Sequence, residues 1–222
     1  FCCGTGTNDA STTYIAIYQG TFNFQGYNTN YRKSNRLLRD VSAWYHLVYA
    51  IDSTQGTADN RIRMYVNGEE ITSWHTKNNP SQNYDFIINS TNEHQLGDEG
   101  GQTGGITPWD GYMAEVHFID GAQLTPSSFG ETKSDTGQWV PKKTDGLTYG
   151  TNGFYLKFVS GAIGTDSSGQ SNNYTATNLA NSDVLLDTPT NNFSTLNSLM
   201  GNAASGLTLS QGNLKAAQSS LT

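Results

Sequence analysis

Apolar and polar residues alternate most regularly over positions 44–52 and 61–71. Leu47, Tyr49 and Ile51 share one side at a period of two, and Ile62, Met64 and Val66 do the same in the next run. Asn67-Gly68 follows directly. Both residues tolerate positive φ, which predicts a type I′ hairpin turn. Two strands and a tight turn with no reactive group attached predict a β-sandwich scaffold. Function then has to come from loops or from assembly.

Shorter runs extend the pattern. Positions 14–19, 21–24, 36–40, 84–89, 94–96 and 153–158 read as strands, and 70–74 can return across the turn. Positions 26–34, 53–60 and 78–83 read as polar loops, and 98–108 as a glycine-rich surface loop. Positions 111–120 predict a strand with two partly apolar faces, Tyr112, Ala114, Val116 and Phe118 on one and Met113, Glu115, His117 and Ile119 on the other. Such a strand belongs in the middle of a covered sheet. Positions 124–129 predict one helical turn, with Thr125 as N-cap, Pro126 at the first helical position and Gly130 ending it. Trp139 opens an extended segment.

The composition shifts after 160. Positions 161–173 are a polar linker, 192–205 are irregular, and 207–215 suit a hairpin. The expected organisation is a jelly-roll domain over 1–160, then a polar linker and extended arm, or the start of a further module, over 161–222. Phe1-Cys2-Cys3 reads as the inside of a folded domain, so one or two N-terminal strands are expected to be missing.

A chain of 222 residues can bury one substantial core. Its net charge is -7, only 14% of residues are charged, and 24 are glycine. The mean hydropathy is -0.54. Asn, Ser and Thr carry the polarity. The basic patch over 31–36 is too short for a nucleic-acid footprint and reads as a solvated strand edge. No apolar run approaches the roughly 18 residues of a membrane span, and no signal-peptide pattern opens the chain. Cys2 and Cys3 are the only cysteines. Adjacent cysteines rarely bridge, so they read as buried thiols, with pairing to sequence outside the chain as the alternative. Three Asn-x-Ser/Thr matches, at Asn89, Asn173 and Asn192, are expected by chance in so polar a chain.

The runs at 44–52, 67–68 and 110–121 resemble the concanavalin A-like, laminin-G-type jelly rolls. FIDGAQLTPSSFGE at 118–131, GTNGFYLKF at 150–158 and DTPTNNF at 187–193 are more specific. Together they resemble modules in structural and fibre proteins of marine tailed bacteriophages, over about residues 10–195. The resemblance implies an all-β, two-sheet antiparallel jelly-roll sandwich followed by an irregular C-terminal arm. It also implies a virion location, in a tail fibre or capsid decoration, with host attachment as the role. The partners it implies are copies of the same chain, a trimer among the arrangements, other virion proteins and a host-surface glycan.

Glycan binding needs flat apolar faces for sugar rings and amides or carboxylates for hydroxyls. Trp74, Tyr84, Trp109 and Tyr112 are the candidate stacking residues, with Asn92, Asp98 and Asp110 as polar partners. Each tryptophan also has a plainer reading as a packing residue. No cofactor is demanded by the residues. Calcium, which many relatives of this fold bind, would find oxygens on Asp98, Glu99 and Asp110. Trp139, Tyr149, Leu185, Leu199 and Met200 are candidates for a contact between copies.

An enzyme is not expected. Glycosidases on this fold place paired carboxylates on one strand, as in a Glu-x-Asp-x-x-Glu-like run. Here Glu115 is followed by Val116, His117 and Phe118. Glu115 shares a face with His117 alone, as a packed polar pair. There is no Ser-His-Asp order, no His-x-x-x-His and no phosphate loop. The leading expectation is a non-enzymatic, glycan-attaching virion module. A spacer or cement domain without ligand and a polysaccharide-cleaving enzyme are the alternatives.

Overall fold

The computed structural model describes residues 1–4, 6, 8, 10–98, 109–186, 188–189, 207–210 and 215–218. The chain is all-β and antiparallel, and among the described residues the only helical pieces are short 3-10 turns. It divides into two units: residues 1–112 with 119–152, and residues 113–118 with 153–222. The sequence places its boundary at 160; the strand-bearing stretch 113–118 groups instead with the residues after 152.

The first unit holds β1 (Cys2–Cys3), β2 (Thr13–Tyr18), β3 (Thr21–Gly26), β4 (Asn30–Leu37), β5 (Leu47–Ile51), β6 (Ile62–Val66), β7 (Glu69–Glu70), β8 (Trp74–Lys77) and β9 (His94–Gln95). Six of these form one sheet in the order β8-β4-β3-β2-β1-β9, and β5-β6-β7 form a second. In the second sheet Leu47 pairs Val66, Tyr49 pairs Met64 and Ile51 pairs Ile62. The six residues read as one face therefore share a face. That face meets the larger sheet through Tyr49, whose ring lies 4.3 Å from Phe22 and 6.5 Å from Phe24. The Tyr49 hydroxyl donates to Asn23 O at 3.1 Å, and burial holds its pKa well above the ordinary tyrosine value.

Asn67 and Gly68 take φ values of 50° and 82°, so the β6–β7 turn has the positive φ at both central residues that a type I′ turn requires. Asn67 also accepts the His46 N–H on Oδ1 at 2.8 Å, which ties the turn to the start of β5. The opposite face of β5–β6 is covered too. Val48, Ala50 and Tyr65 pack beneath Phe129, and Gln123 Nε2 donates to Ala50 O at 3.0 Å.

Three expectations are corrected. Positions 26–34, read as loop, contribute most of β4, an interior strand between β3 and β8. Arg32, placed in a solvated edge, is fully buried, with Tyr31 and Ser34 beside it. Its guanidinium hides the strand pattern because backbone and amide oxygens satisfy it inside the fold. Positions 84–89 form no strand; they end in a 3-10 turn at Ile87–Asn89. The return across the Asn67–Gly68 turn holds for Glu70 and for Ile71, whose N–H donates to Met64 O at 2.8 Å, and the chain then changes sheets, with Trp74 beginning β8 in the other.

Also in the first unit, Pro126–Ser128 is the expected helical turn, of 3-10 type, with Thr125 at its N-cap but no side-chain cap bond. It leads into β11 (Gly130–Thr132), paired with β12 (Trp139–Pro141). Cys2 and Cys3 are free and buried. Cys3 Sγ donates to Ile87 O at 2.9 Å, and burial pushes its thiol pKa up. The Asn89 amide donates to Asp120 Oδ1 at 2.6 Å and accepts from Asn152 Nδ2 at 3.1 Å.

In the second unit the long strand expected over 111–120 shrinks to β10 (Val116–Phe118), paired only with β13 (Phe154–Leu156). Glu115 has φ 53°, which breaks the two-residue alternation just before β10. His117 stacks on Tyr155 at 4.0 Å, and Glu115, its pKa raised by burial, feels the opposing pull of Lys157. Asp166 organises the following loop. Its carboxylate accepts the N–H groups of Tyr155, Ser168 and Asn172 at 2.8–2.9 Å. The hairpin expected near 207–215 is β14 (Leu207–Ser210) paired with β15 (Lys215–Gln218).

Candidate functional site

The first unit carries a pocket of about 210 Å³ lined by Arg32, Asp59, Asn60, Ile62, Glu70, Ile71, Thr72, Trp74 and Lys77. Four pieces of chain build it. Arg32 comes from β4, Ile62 and Glu70 from β6 and β7, and Trp74 and Lys77 from β8, which pairs with β4 through Arg32–Lys77 and Ser34–Trp74. The 3-10 turn Ala58–Arg61 brings Asp59 and Asn60. Arg61 anchors that turn by donating to Gln55 O at 2.9 Å and Pro80 O at 2.7 Å.

Asp59, Lys77 and Glu70 at the pocket are ion-paired. Lys77 Nζ lies 2.8 Å from Asp59 Oδ2, and Asn79 Nδ2 donates to Asp59 Oδ1 at 2.8 Å. Those bonds, Lys77's first, hold the Asp59 carboxyl below its ordinary range. Glu70 is gripped by both Nε and NH2 of Arg63. Arg32 donates from NH1 to Tyr31 O at 2.9 Å and Asn78 O at 2.8 Å, and from NH2 to Asn79 Oδ1 at 2.6 Å. Its Nε is buried without a partner. Its guanidinium carbon stands 5.5 Å from the Trp74 ring centre. Burial lowers the Arg32 pKa, and the Asp59 charge opposes this. The pocket thus combines an indole face, two isoleucines and a ring of hydroxyl, amide and charged groups in a space suited to one sugar-sized molecule.

Of the seven residues nominated for a glycan, Trp74 alone lines this pocket. Tyr84 belongs to an aromatic cluster, 4.8 Å from Phe86 and 6.1 Å from Tyr31. Asn92 folds back on Ser90, donating to its Oγ from N and Nδ2. Asp98, Trp109, Asp110 and Tyr112 flank residues 99–108, which lie outside the described residues, and Trp109 N–H donates to Gly97 O at 2.8 Å. Trp109 is 40% exposed and Tyr112 57%, with the Trp109 indole lying over Gly111. Glu99 lies outside the described residues. Among the described residues no group of three or more His, Cys, Asp or Glu side chains is placed to hold a metal.

The residues nominated for a contact between copies are spread out. Trp139 packs within its own unit against Gly68, Gly130 and His46, and Tyr149 is buried. Leu185 is partly buried, and Leu199 and Met200 lie outside the described residues.

Sequence reasoning missed Arg32, Asp59, Asn60, Glu70, Thr72 and Lys77. Only the β4–β8 pairing could have found them, and Arg32 disguised β4 as loop. Among the described residues, no helix is long and apolar enough to cross a membrane.

Residues 4–127 match the family model described as the concanavalin A-like lectin/glucanases superfamily. No curated protein and no solved structure matches the chain. The family match covers more than half of the sequence and takes in β2 to β9 and every residue of the Trp74 pocket. The chain belongs to the concanavalin A-like lectin/glucanases superfamily.

Proposed function

We propose that this chain is a non-enzymatic, carbohydrate-binding module of a virion protein, a tail fibre or capsid decoration, that attaches to a host-surface glycan. The observation that carries the binding is the Trp74 pocket. An indole face offers the apolar contact a pyranose C–H face needs, and Thr72, Asn60, Asp59 and Glu70 offer hydroxyl partners around it. The virion setting rests on the sequence resemblance at 118–131, 150–158 and 187–193. Self-association into fibres suits the exposed Val159, Leu179 and Leu186 of the second unit.

The enzymatic reading draws on Asp59 and Glu70, two carboxylates in one pocket. Glycoside hydrolysis needs one of them protonated as general acid. Lys77 and Asn79 keep Asp59 ionised, and Arg63 occupies Glu70 from two nitrogens. Both are committed to ion pairs, which favours binding over cleavage. A spacer without ligand is the remaining reading. The test is a glycan array probed with the full chain and with Trp74→Ala. Binding that Trp74→Ala abolishes supports the proposal; no binding to any glycan leaves the spacer. Release of reducing ends from a bound polysaccharide would return the enzyme.

A further inference from the structure

We propose that the Trp74 pocket selects a sugar residue bearing an anionic group, a carboxylate or a sulfate ester, over its neutral counterpart. This rests on the carbohydrate-binding reading above and narrows it to a chemical class.

The argument is one of charge placement. Three cations, Arg32, Lys77 and Arg63, stand at or behind the pocket, against two carboxylates, Asp59 and Glu70. Lys77 takes Asp59 and Arg63 takes Glu70. Arg32 is left over. It is 0% exposed, its NH1 and NH2 bonds end on neutral oxygens, and its Nε–H has no partner. A guanidinium removed from water that shares the single charge of Asp59 with Lys77 is under-matched, because buried cations are ordinarily paired. Arg32, in the pocket wall beside the Trp74 ring and closed off from water, acts through its charge; Lys77, at the more exposed rim, can turn from Asp59 to touch the ligand directly. The chain as a whole carries -7, so this local excess of positive charge runs against the composition.

The experiment is calorimetric titration of the full chain with three probes of similar length: an oligogalacturonate, a neutral galacto-oligosaccharide and a sulfated galacto-oligosaccharide. The expected result is at least about tenfold tighter binding of one or both charged probes than of the neutral one, weakening as salt rises. Which charged probe wins separates carboxylate from sulfate. Asp59→Asn, which removes the carboxylate that holds Lys77, is expected to raise the ratio of charged-probe to neutral-probe affinity several-fold, an effect no structural role for Asp59 predicts. Arg32→Gln is expected to level the three; should it fail to fold, Asp59→Asn still decides. Equal affinity for all three probes, or Asp59→Asn failing to raise that ratio, overturns the proposal while leaving glycan binding intact. Failure of every probe, with no glycan bound on an array, overturns the carbohydrate-binding reading and this one with it.

Discussion

Trp139 is seated on Gly68: a Cβ at that glycine would run into Cε3 and Cζ3 of the indole. Gly130 approaches the same ring from the β11–β12 hairpin, where a Cβ would come within 2.6 Å of Cζ2. Gly68 also needs its φ of 82° for the turn. Gly68→Ala therefore meets strain and collision together and is expected to cost more than about 1 kcal/mol. Trp139→Ala is expected to cost about 3–5 kcal/mol through the cavity it leaves. In that background Gly68→Ala loses its collision and costs only the backbone strain. Urea melts of the four variants read this non-additivity; strictly additive costs would break the claim that ring and glycine touch.

His46 packs beside the same indole, with ring centres 5.6 Å apart, and both His46 Nδ1 and Trp139 Nε1 are buried without a hydrogen-bond partner. Burial pulls the His46 pKa down from 6.5 to about 4. The folded chain keeps the ring neutral, while the unfolded chain takes up a proton below pH 6.5. Stability is thus full above that value and falls as the pH drops toward 4, by on the order of 2–3 kcal/mol. The difference between wild type and His46→Phe across pH 4–7 measures this, and parallel profiles would refute it.

Cys3 carries a thiol that burial holds protonated and that donates to Ile87 O. Cys2 is equally enclosed. Neither is expected to react with an aromatic disulfide reagent in the native protein on the timescale of minutes, and both should react in denaturant. Rapid native labelling of either would contradict their placement in the core.

Trp74→Ala is expected to weaken glycan binding at least about tenfold with the melting temperature little changed, since its ring lines a surface pocket. Trp109→Ala, outside that pocket, should leave affinity within about twofold. The reverse pattern on one array would move the site to the residues flanking 99–108.

Neither Asp98 nor Asp110 lines the Trp74 pocket, so treatment with a chelator is expected to leave glycan binding by the chain unchanged. Affinity lost to chelator and restored by calcium would bring the loop carboxylates into the site.

The sequence was most legible where side chains alternate and the turn has special backbone needs. The β5–β6 register and the Asn67–Gly68 turn follow from Leu47, Tyr49, Ile51, Ile62, Met64 and Val66 because one face is dry. It was least legible where a charge is buried or a backbone angle interrupts the period. Arg32 made β4 look like loop, since its internal hydrogen bonds come from residues 46 and 47 positions away. Glu115 delayed the start of β10 through one positive φ that no neighbouring residue type announces. The pocket was invisible for a related reason. Only Trp74 of its residues carries an obvious ligand chemistry, and Lys77 is brought beside Arg32 by the pairing of β8 with a strand distant in the chain.

The strand partner of Phe154–Leu156 is supplied by residues 116–118, and 119–152 belong to the other unit. No single cut can therefore part the chain into two intact pieces. Protease nicking or gene truncation near 152 strands Val116–Phe118 on the wrong fragment, its hydrogen-bonding edge bare. Separating the units would take a circular rearrangement or a graft that carries 113–118 along.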